Sequence, residues 1–243
     1  MKIPLKETDN LFILTGAGIS AESGLSTFRD SGGLWEGHDV REVASPAGWQ
    51  ENPSLVWDFY SKRRQQALAA TPNAAHRALA AVENSLGPRF FLCTQNVDDL
   101  HERAGSHRVS HIHGNLFSSR CTACSLIMHD AALHDSPNAL PRCEKCGAPM
   151  RPDIVWFGEN LMHADEIQTA LERATIFVAI GTSGQVFPAA AFAHFASSQG
   201  IPTHYIGLEP PENANAFDHI HLGPATALVP KLLLPDEEGA RCS

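Results

Sequence analysis

Leu11-Phe12-Ile13-Leu14-Thr15-Gly16-Ala17-Gly18-Ile19-Ser20-Ala21-Glu22-Ser23-Gly24-Leu25-Ser26-Thr27-Phe28-Arg29-Asp30 is the stretch on which the reading of this chain turns. The apolar run Leu11–Thr15 predicts a buried strand. Gly16 and Gly18 predict a tight turn that brings backbone close to a pyrophosphate. The helix opening behind them would direct free N–H groups and a partial positive charge at that anion. The expected ligand is a nucleotide diphosphate.

A Gly-x-Gly-x-x-Ala turn alone is weak, because strand-to-helix glycine turns are common. A dehydrogenase would also need a second strand ending in an acidic residue about 20 residues on, to hold the ribose hydroxyls. That region reads Arg29-Asp30-Ser31-Gly32-Gly33-Leu34-Trp35-Glu36, with no apolar run long enough for a strand. A dinucleotide site fits; hydride transfer does not follow from it.

Further apolar runs fall at Phe90–Thr94, Ile176–Ile180, 204–208 and 225–228. Helices are expected over 54–70, 73–85, 164–174 and 189–199, with Pro72 and Pro188 at two of the starts. The alternation predicts an α/β fold with a parallel sheet covered on both faces. Two segments break it, a helical stretch over 36–71 and a cysteine-bearing stretch over 115–152. They are expected to form a smaller lobe beside a core built from about 1–35, 72–114 and 153–234.

With 243 residues, 43% of them hydrophobic, the chain has material for one full core and a small appended module. A net charge of -9 and the lack of a Lys/Arg block argue against a nucleic-acid surface and mildly favour basic peptides. No run of 18 apolar residues and no signal-like N-terminus is present, so no membrane partner and a cytoplasmic location are expected. Four of six cysteines form two Cys-x-x-Cys pairs, Cys121/Cys124 and Cys143/Cys146, at the spacing of a zinc ribbon. Four thiolates leave no place for a water, so this zinc would be structural. Cys93 lies in an apolar strand as a small hydrophobe, and Cys242 in a polar tail.

Ligands of open parallel sheets bind beyond the carboxyl ends of the strands. Those ends carry Gly16-Ala17-Gly18, Gln95-Asn96-Val97-Asp98, Gly181-Thr182-Ser183 and Gly207-Leu208-Glu209, small and polar sets suited to ribose hydroxyls and amides. With them in view, the chain resembles the sirtuins, the NAD-dependent protein lysine deacylases. The resemblance runs from Leu11 to about Leu232. It rests on the glycine turn with Ser23-Gly24 and Phe28-Arg29, on Thr94-Gln95-Asn96-Val97-Asp98-Asp99-Leu100-His101, on His113-Gly114, on both cysteine pairs, on Val155-Trp156-Phe157-Gly158-Glu159 and on Gly181-Thr182-Ser183.

The resemblance implies a Rossmann-like core, with NAD between it and the zinc lobe. It implies that the acyl-lysine oxygen attacks the ribose carbon as nicotinamide leaves, and that the alkylimidate collapses to O-acyl-ADP-ribose and free lysine. The enzyme would be a transferase by outcome. His113 matches the general base, for which an imidazole pKa near 6.5 is suited. His111, two positions away on an extended segment, shares its face; only the His-Gly match selects His113. Asn96 and Asp98 match residues that hold nicotinamide and its ribose, and Asp98 would also serve as a helix N-cap. Phe28 and Arg29 match the loop over the nicotinamide pocket. Ser20, Glu22 and Trp35 are assigned to the cofactor in the same way, as is Ala225 at the adenine end. Val155, Phe157, Gly158 and Glu159 on one side, with Gly184 and Val186 on the other, match the edges between which an acylated peptide inserts as an added strand.

One position departs from the family. Asn-Leu-Glu is usual after the fifth strand, with the Asn on the adenosine ribose, and here the position is Gly207. At the acyl end, Tyr60 and Arg63 share a helix face and resemble the Tyr-x-x-Arg signature of desuccinylase-type, class III sirtuins. Ala44 matches the small residue that widens their pocket. A phenol and a guanidinium there would bind the far carboxylate of succinyl- or malonyl-lysine. Plain deacetylation and protein mono-ADP-ribosylation are the alternatives that use the same NAD pocket.

Overall fold

The computed structural model describes residues 2–26, 34–35, 37–134 and 140–235, with Leu34 and Trp35 in backbone only. The N-terminal half contains β1 (Leu11–Thr15), α1 (Ala17–Ala21), β2 (Leu34–Trp35), β3 (His38–Asp39), α2 (Val40–Val43), α3 (Pro46–Glu51), α4 (Pro53–Ala69), α5 (Ala74–Leu86), β4 (Phe90–Thr94) and α6 (Leu100–Arg103). There follow β5 (Val109–His111), β6 (Gly114–Cys121), β7 (Ile127–His129), β8 (Met150–Ile154), α7 (Ala164–Arg173), β9 (Ile176–Ile180), α8 (Ala191–Ser198), β10 (Thr203–Gly207), β11 (His219–Leu222) and α9 (Ala225–Leu233). Among the described residues no helix is long and apolar enough to cross a membrane.

Six strands form one parallel sheet in the order β11-β10-β9-β1-β4-β5. Every residue of β1 is buried, and the pleat sends them to two cores in turn. Leu11 and Ile13 join Leu79 and Val82 of α5 and Val229 and Leu232 of α9. Phe12 and Leu14 join Ile167 and Leu171 of α7 and Ala193 of α8 on the opposite face. A strand covered on both sides reads as an unbroken apolar run, and so β1, β4 and β9 have the bounds expected from sequence.

Elsewhere the expectations need correction. The run 225–228 is the first turn of α9 rather than a strand. Ala225, Val229, Leu232 and Leu233 recur at helical spacing and are buried, and Pro224 stands at the N-cap. The edge strand is β11, with the sequence His-Ile-His-Leu. β10 runs one residue earlier than expected, which leaves Leu208 outside the sheet and 67% exposed. The helical stretch expected over 36–71 divides, among the described residues, into the short α2 and α3 and the 17-residue α4. Asp39, Ser45 and Asn52 each accept a backbone N–H as N-caps, and Pro46 and Pro53 open the next helices.

The lobe beside the sheet joins α2–α4 to the antiparallel set β7-β6-β8. Arg64 fastens α4 to it although fully buried: Nε donates to Leu116 O at 2.5 Å and Nη1 to Ala132 O at 2.6 Å, with Asp130 at 3.2 Å. A buried guanidinium with its donors met is held in one geometry. The neighbouring turn of α4 is thereby aimed at the cleft between lobe and sheet.

Candidate functional site

The cleft opens at the carboxyl ends of β1, β4, β9 and β10 as a cavity of about 620 Å³. Its floor is the glycine turn, packed without a gap on the end of β9. A Cβ on Gly18 would lie 2.7 Å from Gly181 Cα, and one on Gly16 2.9 Å from Gly181 O. That packing changes one expectation. Gly16 N donates to Ile180 O and Gly18 N to Gly181 O, so these two amides close the turn instead of facing an anion.

Asn96 and Asp98, both buried, stand on the loop after β4 and share Ser20 as a partner. Asn96 Nδ2 donates to Ser20 Oγ at 3.1 Å. Asp98 Oδ1 accepts from Leu100 N at 3.1 Å while lining the cavity; the N-cap position of α6 itself falls on Asp99. Burial raises its carboxyl pKa above the usual value. Beneath them lies a polar layer that sequence reading missed. Thr15 Oγ1 donates to Thr94 Oγ1 at 2.8 Å and pairs with His101 Nε2 at 3.0 Å, and His76 Nε2 lies 3.4 Å from Ser20 Oγ. Burial pushes His76 down to about 4 and His101 well below its ordinary value, so both are neutral at pH 7.

His111 and His113 separate here. His111 pairs with Asn96 O at 3.0 Å and with Glu102 Oε1 at 2.7 Å, away from the cavity. Burial pulls its pKa down, but Glu102, the Asn96 carbonyl and Asp98 outweigh this and raise it. His113 lines the cavity with Nδ1 3.0 Å from Gln95 O. Desolvation lowers its pKa against the weaker pull of that carbonyl. A neutral ring with Nδ1–H on a carbonyl carries its lone pair on Nε2.

On the lobe side, Ala44, Tyr60 and Arg63 line the same cavity. Tyr60 is fully buried, its hydroxyl accepting from Trp156 Nε1 at 3.1 Å, and burial holds its pKa far above the ordinary phenol value. Val155, Phe157, Gly158 and Glu159 form the adjoining wall. Arg151, which sequence reading missed, pins it. It forks onto both Glu159 oxygens at 2.7 and 2.9 Å and lies 3.4 Å over the Trp156 ring. The amides of Val155, Trp156, Phe157 and Glu159 donate inward, to His113 O, Glu159 Oε2, Ala44 O and Trp156 O.

Ala17, Gln95, Val97, Thr182, Ser183, Val186, Leu208 and Glu209 also line the cavity, as do Gly207 and Ala225. Glu22 does too, and it also accepts from Thr226 N and Oγ1 at the start of α9. Gly184 is the exception among the described candidates. Its φ is +72°, and a Cβ there would meet Asn213 Oδ1 at 2.2 Å, so it packs behind the wall. Phe28, Arg29 and Cys242 lie outside the described residues, and Trp35 is described in backbone only.

The four cysteines converge apart from the cleft. Cys121 and Cys146 Sγ are 3.5 Å apart, Cys124 and Cys143 Sγ 3.6 Å, and all four sulfurs lie within 4.8 Å of one another. A tetrahedral zinc with Zn–S near 2.3 Å requires sulfurs ~3.8 Å apart, so the set fits zinc and fills its coordination sphere.

The Sir2 family model matches residues 16–188. A protein of Caulobacter vibrioides described as an NAD-dependent protein deacylase is 51% identical over 223 residues, covering 90% of this chain and 93% of the relative. One of the same description from Salmonella typhimurium is 48% identical, covering 94% and 84%. Among solved structures, a Sir2 homolog–NAD complex superimposes with a TM-score of 0.85 at 38% identity, covering 93% of this chain and 89% of the other. A Sir2 bound to acetylated peptide gives 0.78 at 28% identity, covering 91% and 90%.

Proposed function

The chain belongs to the Sir2 family, and on that premise we propose that it is an NAD-dependent protein lysine deacylase whose acyl pocket favours succinyl and malonyl over acetyl groups. The observation that carries the activity is a neutral His113 on the wall of one cavity with Asn96 and Asp98. The acyl preference rests on Ala44, Tyr60 and Arg63 on the lobe side of that cavity.

The cavity fits a dinucleotide in volume and lining. It is floored by small residues, with a buried amide and carboxylate on the β4 side and the ends of β9 and β10 opposite. When bound, NAD supplies the ribose carbon that accepts the acyl oxygen and the nicotinamide that leaves. His113 Nε2 takes the proton of a ribose hydroxyl, and the Gln95 carbonyl keeps the ring in the right tautomer. Asn96 and Asp98 orient nicotinamide and its ribose, held by Ser20 and the polar layer behind it. Ala44 leaves room for a longer acyl chain. Tyr60 and Arg63 bind its carboxylate, an ion pair that acetyl-lysine lacks.

The peptide enters between the 155–159 wall and the region of Val186. With four wall amides already engaged, it is held chiefly by donating its own N–H groups to this edge, which reads backbone more than side chains. The cysteine zinc serves the lobe and takes no part in the chemistry.

The test is to incubate the protein with NAD and matched acetyl-, succinyl- and malonyl-lysine peptides and follow products by mass spectrometry. The expected result is one nicotinamide and one O-acyl-ADP-ribose per lysine released, with kcat/KM highest for the dicarboxylyl peptides. ADP-ribose retained on protein would favour mono-ADP-ribosylation, and equal or better turnover of acetyl-lysine would reduce the reading to a plain deacetylase.

A further inference from the structure

Gly207 ends β10 at the cavity wall, and the space a side chain would occupy there is already filled. A Cβ on Gly207 would lie 2.3 Å from Tyr205 Oη and 2.7 Å from its Cζ. Two residues apart on one strand, Tyr205 and Gly207 share a face, so the phenol lies along the strand toward the ligand end. The ring cannot swing aside. It is buried at 3% exposure with Phe217 at a centroid distance of 5.5 Å, and its hydroxyl donates to Thr182 O at 3.2 Å. Both residues line the main cavity, beside Thr182, Leu208 and Ala225.

We infer that Tyr205 is a nucleotide-binding residue of this chain, its hydroxyl set into the space that Gly207 vacates so as to accept a ribose hydroxyl on the β9–β10 side of the cleft. The inference rests on the NAD reading and deepens it. The sheet order puts the His113 side and the Tyr205 side at opposite ends of the site. From β5 to β10 are four strand intervals, ~19 Å in all, a span suited to an extended dinucleotide. With the nicotinamide half at His113, the other ribose falls at Tyr205. The hydroxyl gives its proton to Thr182 O, so it would meet the ligand as an acceptor. It also steadies the Gly181–Thr182 turn against which Gly16 packs.

The test uses calorimetric binding of ADP-ribose, with melting temperature alongside. Tyr205→Phe should weaken ADP-ribose about 3- to 10-fold, the range of one neutral hydrogen bond, with the melting point little changed. ADP compared with its 2′-deoxy and 3′-deoxy forms separates contact from support. Wild type should lose affinity when the contacted hydroxyl is removed, and Tyr205→Phe should not discriminate. Gly207→Asn should clash with the phenol and lower both affinity and melting point, and adding Tyr205→Ala should recover much of each. Wild type that binds ADP-ribose while Tyr205→Phe binds it equally well, or loses the same affinity for every deoxy form, would overturn this inference alone. Wild type that fails to bind ADP-ribose would overturn the NAD reading with it.

Discussion

His111 and His113 lie two positions apart on one extended segment, yet one gains protons and the other sheds them. Glu102 at 2.7 Å makes a salt-bridge partner of His111, whereas His113 meets a single backbone carbonyl and a desolvating cavity. Spacing in the sequence does not separate them. The acidic residue that decides the matter comes from α6, and only folding brings it to His111. If His113 is the base, His113→Ala should abolish NAD-dependent deacylation with an unchanged melting temperature. A melting point that falls together with activity would make it structural. The pH profile supplies a second check. The working form is neutral and its pKa is lowered from 6.5, so kcat/KM should be full at pH 7 and fall on acidification with a midpoint below 6.5. A midpoint above 6.5 would point to a group raised in pKa.

Among the elements, β1, β4 and β9 were legible in the sequence to the residue, because burial on both faces leaves an uninterrupted apolar run. β5 and β11 were not. Val-Ser-His and His-Ile-His-Leu are short and carry polar side chains, so their strand character comes from pairing with β4 and β10. The start of α9 was misread because a short apolar run does not distinguish strand from helix. The glycine turn was legible as a turn, but its fit to Gly181 was not. Gly18→Ala must push α1 off the end of β9. It should cost about 1–3 kcal/mol in stability, the usual range for overpacking, and weaken ADP-ribose binding. Denaturant unfolding with an unchanged midpoint would show that the turn has slack. In the cysteine hairpin, Cys143→Ser should lose stoichiometric zinc on metal analysis and lower the melting point, since structural zinc contributes directly to folding. Retained zinc at one per chain would refute the ligand set.

The whole molecule places its buried histidines unevenly, and this sets its acid stability. His76 and His204 are pushed down to about 4 and His101 well below its ordinary value, first of all by burial. The unfolded chain protonates them near 6.5 and the native state does not, so stability should fall as pH drops from about 6.5 toward 4. His111 has the opposite sign. Its raised pKa stabilises below 6.5, and that contribution is lost as pH rises through the folded value. His113 and His221 are lowered as well, so five lowered histidines stand against one raised, and the urea midpoint should be lower at pH 5 than at pH 7; a higher one would contradict the balance. The cleft joins residues 44, 60 and 63 of the lobe to residues 96, 98 and 113 of the sheet. Its lining was largely legible from motifs, whereas Tyr205, Arg151 and the polar layer under Ser20 were not, because their roles arise from neighbours distant in the chain. The acyl preference is measured most directly by kcat/KM for the acetyl and succinyl forms of one peptide, on wild type and on Arg63→Met. Loss of a charge-assisted contact should lower desuccinylation roughly 10- to 150-fold and leave deacetylation nearly unchanged. Equal losses on both substrates would contradict the account and make Arg63 a support of α4 or of the NAD site.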